Sequence, residues 1–420
     1  MFNDMSIWKK LTTLIYWGVG ALVVYLSSYV ITLSLDQKNA GYFFLLQTLI
    51  ITLGMISSLG LNSFMPKLIG ESRRLDSVSK DIGSIIFITI FNSVFLTSVI
   101  IIFMNLVGNE LFDVALSLKL SLCVLLHALL VVFSSIFQSI KKANLSVLYL
   151  SIIQQSIFCI LFFTKEPTDY DYALNYLLYS YIISVSVCFI NLIFSISGVF
   201  WDKFITGFSF KACIPMLKIA PYFLLMLILS ICINQMPLLM SSWLMDMSTV
   251  AAFQVALKLS SIVAIVITAV NTVTAPLFAA YNINNQNCEL KRLYINSTFF
   301  VVTFTIPVII CLFSFSTFFM GIFGELYKEY HTLLQILLIG QVCNVLTGPL
   351  ACLLTMTGKY SIVIYSNVLN VIVILLGYVL SIFFESYEIF LFSISIGMVV
   401  SNLFMFRSVF GNLFIPESVK

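Results

Sequence analysis

Apolar runs of about 20 residues, separated by short polar turns, recur along the whole chain, and a run of that length crosses a bilayer as a helix. Twelve such runs predict twelve transmembrane helices, at about 11–33, 41–65, 82–107, 113–138, 144–163, 173–199, 218–244, 248–280, 294–319, 332–355, 361–383 and 387–406. The eighth run is unlike the others because Lys258 sits near its middle. At about 100° per residue, Gln254, Lys258, Ser261, Thr268 and Thr272 fall within roughly a quarter turn, while Ile262, Val266 and Ala269 lie outside it. One face is wet and the other greasy. A charge at bilayer depth costs about 3 kcal/mol or more, so Lys258 is expected to face a protein interior or a water-filled cavity.

The fourth run carries a second stripe, in which Lys119, Cys123, His127, Ser134 and Gln138 share an arc of about 100°. Two readings fit Lys119: it lines the same cavity, or it snorkels to the nearby headgroups. His127 either lines the cavity or bonds a neighbouring helix. Asn234 and Gln235 precede Pro237 in the seventh run, where they either line the cavity or satisfy a backbone the proline has broken. Gln47, Ser58, Asn62, Gln341, Asn344 and Thr347 read first as interhelical glue. Tyr25 and Tyr29 suit either a sugar or an outer aromatic belt.

Composition agrees with the pattern: 60% of residues are hydrophobic and 9% charged, far from a soluble chain. Basic residues gather in alternate turns (Lys9, Lys10, Arg73, Arg74, Lys141, Lys142, Lys203, Lys211, Lys291, Arg292, Lys359 and Arg407). The opposite turns carry only Lys38, Lys165 and Lys328 and are otherwise acidic, with Asp36, Glu110, Asp171, Asp246 and Glu385 among them. The positive-inside rule then puts both termini in the cytoplasm. The basic, aromatic stretch 201–217 separates an N-terminal six-helix bundle, 1–200, from a C-terminal one, 218–420. Shifting the chain by 210 residues lays Asp36 on Asp246, Phe43 on Phe253 and Pro66 on Pro276, which suggests a parallel duplication around a central cavity. The expected fold is therefore an all-α polytopic membrane protein, twelve helices in two six-helix bundles.

Several chemistries lack their residues. There is no G-x-x-x-x-G-K-[ST] run, since Thr357-Gly358-Lys359 has no glycine loop before it, and this speaks against direct ATP hydrolysis. The nine cysteines form no C-x-x-C pair, only two histidines are present, and no carboxylate lies clearly inside the apolar runs, so neither a metal site nor a catalytic dyad is expected. The thiols are expected reduced, and the first run, from Leu11, reads as a retained span rather than a cleaved leader. Positive groups without negative ones select an anion.

Three strings carry a resemblance: VAAFQVALKLS at 250–260 with Ala275-Pro276 downstream, Pro221-Tyr222-Phe223, and GQVCNVLTGPLACLLTMTGKY at 340–360. With the twelve spans and two halves, the chain resembles the Wzx-type polysaccharide-unit flippases of the multidrug/oligosaccharidyl-lipid/polysaccharide exporter superfamily. That resemblance implies a flippase moving an undecaprenyl-pyrophosphate-linked O-antigen repeat unit to the periplasmic leaflet of a bacterial inner membrane by alternating access. Lys258, Lys119, His127, Gln254, Asn234 and Gln235 are the candidate substrate contacts. No enzyme activity, cofactor or nucleic acid is implied; the partners are the lipid-linked oligosaccharide, the bilayer and other polysaccharide-assembly membrane proteins. A multidrug and toxin extrusion antiporter is the alternative within the superfamily, and it calls for buried acidic residues. A membrane glycan polymerase or ligase is the alternative outside it, and it calls for a large outer loop.

Overall fold

The structure is a computed structural model, and it describes residues 4–71, 79–107, 114–140, 142–165, 167–195 and 210–409. Most of the expected 201–217 segment lies outside these residues, as do Arg73, Arg74, Glu110, Lys141 and Lys203. Among the described residues every regular element is helical, and the chain forms two compact units, Met1–Ile231 and Cys232–Lys420.

In the first unit α1 is Asp4–Ser34, α2 Gln37–Ser57, α3 Leu61–Glu71, α4 Ser79–Val107 and α5 Val114–Ser139. The expected second span is thus two helices, broken where Leu59 (φ 50°) and Gly60 (φ 74°) turn the chain through the left-handed region. Gly60 is also required by space, since a Cβ there would lie 2.6 Å from the Phe223 carbonyl oxygen. The fifth span runs as α6 (Ala143–Val147), a π-helical turn (Leu148–Ile153) and α7 (Gln154–Lys165), followed by α8 (Tyr170–Ser195). Its core is aromatic: Phe43, Phe44, Phe158 and Phe162 are fully buried, with the Phe43 and Phe158 rings stacked at 5.6 Å.

Helix α9 (Phe210–Asn234) leads into the second unit, which contains α10 (Met236–Ser241), α11 (Met247–Ile283), α12 (Asn287–Ser314), α13 (Ser316–Ile322), a 3₁₀ turn (Glu325–Tyr330), α14 (His331–Thr347), α15 (Leu350–Met356), α16 (Tyr360–Phe383) and α17 (Tyr387–Val409). The long apolar run 332–355 breaks between α14 and α15, where Gly348 takes φ 60° ahead of Pro349. The Tyr294 hydroxyl donates to the Thr347 carbonyl at 2.9 Å and so satisfies an acceptor that the break releases. Close packing of α16 on α17 depends on small residues. A Cβ on Gly377 would sit 2.0 Å from Ser393 Cβ, and one on Gly397 would sit 2.3 Å from Asn370 Oδ1.

Among the described residues, ten helices are long and apolar enough to cross a membrane, and two shorter apolar helices, Gly18–Ser34 and Phe223–Asn234, fall in the first and seventh expected spans. Their outward faces are greasy: Phe91, Val94, Phe95, Val99 and Ile102 are exposed on α4, and Leu375, Leu376, Val379 and Phe383 on α16. Apolar side chains in such numbers are stable only against lipid, which makes this an integral multi-pass membrane protein. Asp36 and Asp246, paired by the 210-residue shift, are the N-caps of α2 and α11 with nearly equal dihedrals, φ −61°, ψ 158° and φ −67°, ψ 159°.

Candidate functional site

Helix α11 begins firmly. The Asp246 carboxylate accepts from the amides of Ser248 (3.1 Å) and Thr249 (3.3 Å) and from the Thr249 hydroxyl (2.6 Å). Partial burial alone would raise this carboxyl, but the bonds from Thr249 and Ser248 outweigh it and hold it below its ordinary value of 3.8. From Thr249 to Ala256 the helix is buried on all sides, and Gln254 lies inside with only 8% exposed.

Beyond that point the two faces part. Leu259, Ser260, Val263 and Ile267 pack inward, Lys258 is half-buried, and Ser261, Thr268 and Thr272 are exposed. The three hydroxyls donate to their own helix, to the carbonyls of Lys258 (2.7 Å), Ala264 (2.9 Å) and Ala269 (2.7 Å). Their lone pairs still face outward, and Lys258 supplies the positive charge of the stripe. Exposed hydroxyls beside a half-buried ammonium make this the polar face of α11.

The stripe on α5 lies differently. Lys119 pairs with both carboxylate oxygens of Asp171 at 2.7 Å. Asp171, expected in an outer turn, lies in the first turn of α8, so a carboxylate does meet one of the two candidate lysines. Cys123, His127 and Ser134 are buried against neighbouring helices. The His127 ring meets Tyr181 edge-on at 5.6 Å and fills the space left by Gly54, where a Cβ would lie 2.6 Å from His127 Cδ2. Its Nε2 has no hydrogen-bond partner.

Asn234 and Gln235 mark the end of α9, where Gln235 departs from the helix (φ −111°, ψ −39°) and Pro237 sits in the first turn of α10. Asn234 is exposed and Gln235 half-buried. Of the other amides, Ser58 donates to Asn62 at 3.0 Å and Asn344 to Gln341 at 3.2 Å. Both are local bonds rather than the interhelical glue the sequence suggests, which Thr347 does supply by donating to Asn402 at 3.0 Å. Absent from that reading were Asn271, Asn367, Asn370, Ser401 and Asn402, which line a cavity with Asn344. The available signal was the Gly348-Pro349 interruption of an apolar run. Among the described residues no cluster of His, Cys, Asp or Glu has the makings of a metal site.

The MatE family model matches residues 221–379, less than half of the chain. No curated protein matches in sequence. Among solved structures, a multidrug resistance MATE family transporter of the MOP superfamily in an inward-facing conformation is similar at TM-score 0.67 and 15% identity, over 96% of this chain and 94% of that one. The lipid II flippase MurJ in an inward closed conformation is similar at TM-score 0.67 and 15% identity, over 96% and 87%. The Vibrio cholerae MATE transporter VcmN in its bent form is similar at TM-score 0.62 and 14% identity, over 97% and 96%. At such identities the likeness is one of fold, and the fold is the MATE and MurJ type of two helical bundles.

Proposed function

We propose that this chain is a non-enzymatic membrane exporter of the MATE type, working by alternating access, and that its cargo is anionic. The extrusion reading has the broader support, because the matching family model is MatE and MATE transporters recur among the similar structures. What decides the sign of the cargo is Lys258. Half-buried, it adjoins the exposed hydroxyls of Ser261, Thr268 and Thr272 on α11, and no other residue of the stripe, buried Gln254 included, is charged. A fixed cation in a confined polar space attracts a phosphate or carboxylate and repels an organic cation. One charge-assisted contact contributes about 1.5–3 kcal/mol.

A lipid-linked glycan flippase is the second reading. Two observations favour it: the likeness to MurJ, and a lysine well suited to a pyrophosphate. On this reading the substrate is the undecaprenyl-pyrophosphate-linked repeat unit, delivered across a bacterial inner membrane whose cytoplasmic side holds both termini.

The test is transport into everted vesicles of two fluorescent amphiphiles matched in size, one bearing a phosphate and the other a quaternary ammonium. Wild type should carry the phosphate compound, and Lys258→Ala should lose about tenfold or more of that rate while Lys258→Arg keeps most of it. Preference for the ammonium compound, or indifference to Lys258→Ala, removes the anion reading.

A further inference from the structure

Inside the second unit, where the apolar run breaks at Gly348-Pro349, a cavity of about 250 Å³ is bounded by the end of α9 and by α11, α14, α15, α16 and α17. Five of its lining residues are asparagines, Asn271, Asn344, Asn367, Asn370 and Asn402, and Ser401 is a sixth polar one. None of its lining residues is charged. Buried amides at membrane depth are costly unless bonded, and a break in a spanning helix is tolerated only in protein or beside a wet cavity. Their concentration at the break needs a reason.

Neighbours hold some of these amides in place. Asn402 donates to the Met398 carbonyl at 2.9 Å and accepts from Thr347 at 3.0 Å, while Asn344 donates to Gln341. Others are uncommitted at one end: the Oδ1 atoms of Asn271 and Asn370 are buried without a hydrogen-bond partner. On the orientation given by the basic turns, Asn370 lies about 15 Å from the cytoplasmic start of α16, at ten residues of 1.5 Å. On that side lies an apolar cluster that includes Phe278, Leu350, Leu353, Met405 and Val409, of which Met405 also lines the cavity.

We propose that this cavity is a binding site for an uncharged, hydroxyl-rich group, namely a single sugar ring. An amide offers two donors and two acceptor lone pairs, and a hydroxyl needs one of each kind, so either orientation of each asparagine finds a partner. No formal charge on the walls selects a neutral ligand. The volume falls just below the ~300–1,000 Å³ of pockets for drug-sized molecules, which suits one ring. A metal cation fits poorly: hard cations hold oxygens at about 2.3–2.6 Å, and this space would leave one mostly in water with no carboxylate to retain it. The inference rests on the lipid-linked glycan reading, yet its test requires no transport, so either can fail alone.

Cys352 lines the cavity and reports on it directly. With the full-length protein in lipid nanodiscs, uncharged hexoses and N-acetylhexosamines would be screened for slowing of thiol alkylation, read peptide by peptide by mass spectrometry. Exposed Cys288 serves as the internal control. At least one sugar should slow Cys352 alkylation severalfold and leave Cys288 unchanged, equally in sodium, potassium or choline chloride. Asn271→Leu and Asn367→Leu should each weaken that protection about tenfold, with Cys352 still reactive. A panel in which no sugar protects Cys352, protection by sodium alone, or protection that survives both substitutions would overturn the proposal.

Discussion

The polar stripes of α5 and α11 are written alike, with a lysine followed at helical spacing by hydroxyls and amides, yet the fold uses them in opposite ways. On α5 the stripe turns inward until exposed Gln138 at its end: Lys119 meets Asp171, His127 packs on Tyr181 and Gly54, and Ser134 is 2% exposed. On α11 the stripe turns outward from Lys258 onward, and Leu259, Val263 and Ile267 take the inner face. A polar residue within a span is therefore explained by what lies opposite it. The α5 stripe is internal wiring of the first unit, whereas the α11 stripe is the polar surface on which the proposed cargo contact rests.

The largest separation between the stripes should appear in chemical access. Cysteines placed at Ser261, Thr268 and Thr272 should react with a hydrophilic maleimide at least ~10-fold faster than ones at Ser134 or Ser184, because buried thiols are inert. Equal rates would erase the distinction. Next in size, Gly54→Ala should destabilise the first unit by about 1–3 kcal/mol through overpacking on His127, seen as a lower unfolding temperature in detergent. Gly54→Ala with His127→Ala should recover much of the loss, since the pair contact is what the Cβ offends.

The wiring reading also makes Lys119 and Asp171 interdependent. Asp171→Asn should cost about 1–2 kcal/mol, less than the 3–5 kcal/mol for a fully buried pair because the Asp171 side chain is 42% exposed. Lys119→Met in that background should restore stability; additive losses would show that the two do not act as a pair. The smallest effect concerns the entry to α11. Because folding holds the Asp246 carboxyl below its ordinary value of 3.8, its contribution is complete above that value and fades as pH falls through it into the acid range. Asp246→Asn should therefore lower the unfolding temperature slightly at neutral pH, with the gap closing as pH falls below 3.8.

Much of this was legible in the sequence. Apolar length gave the spans, and the 100° spacing gave both stripes, because each depends only on neighbours along one helix. Tertiary partners were not legible. Asp171 is 52 residues from Lys119 and looked like a loop residue, and only the packing of α5 on α8 unites them. The direction in which each stripe points is likewise a property of the bundle and not of the helix. The breaks at Gly60 and Gly348 were hidden inside continuous apolar runs, since hydropathy is blind to a positive φ. The asparagine cavity escaped because it is assembled from residues as distant as Asn271 and Asn402, with only the Gly348-Pro349 pair to mark it in sequence. The glycan specificity suggested by the strings around Lys258 and Gly348 rests on short sequence, while the fold is shared by MATE transporters and a lipid II flippase alike.

The central claim is that the charge on the outward stripe of α11 sets the sign of the cargo, and Lys258→Glu tests it most directly. In everted vesicles supplied with the matched phosphate and ammonium amphiphiles together, the account expects wild type to favour the phosphate compound and Lys258→Glu to reverse that order. An unchanged preference in a Lys258→Glu protein that inserts and folds normally would contradict it.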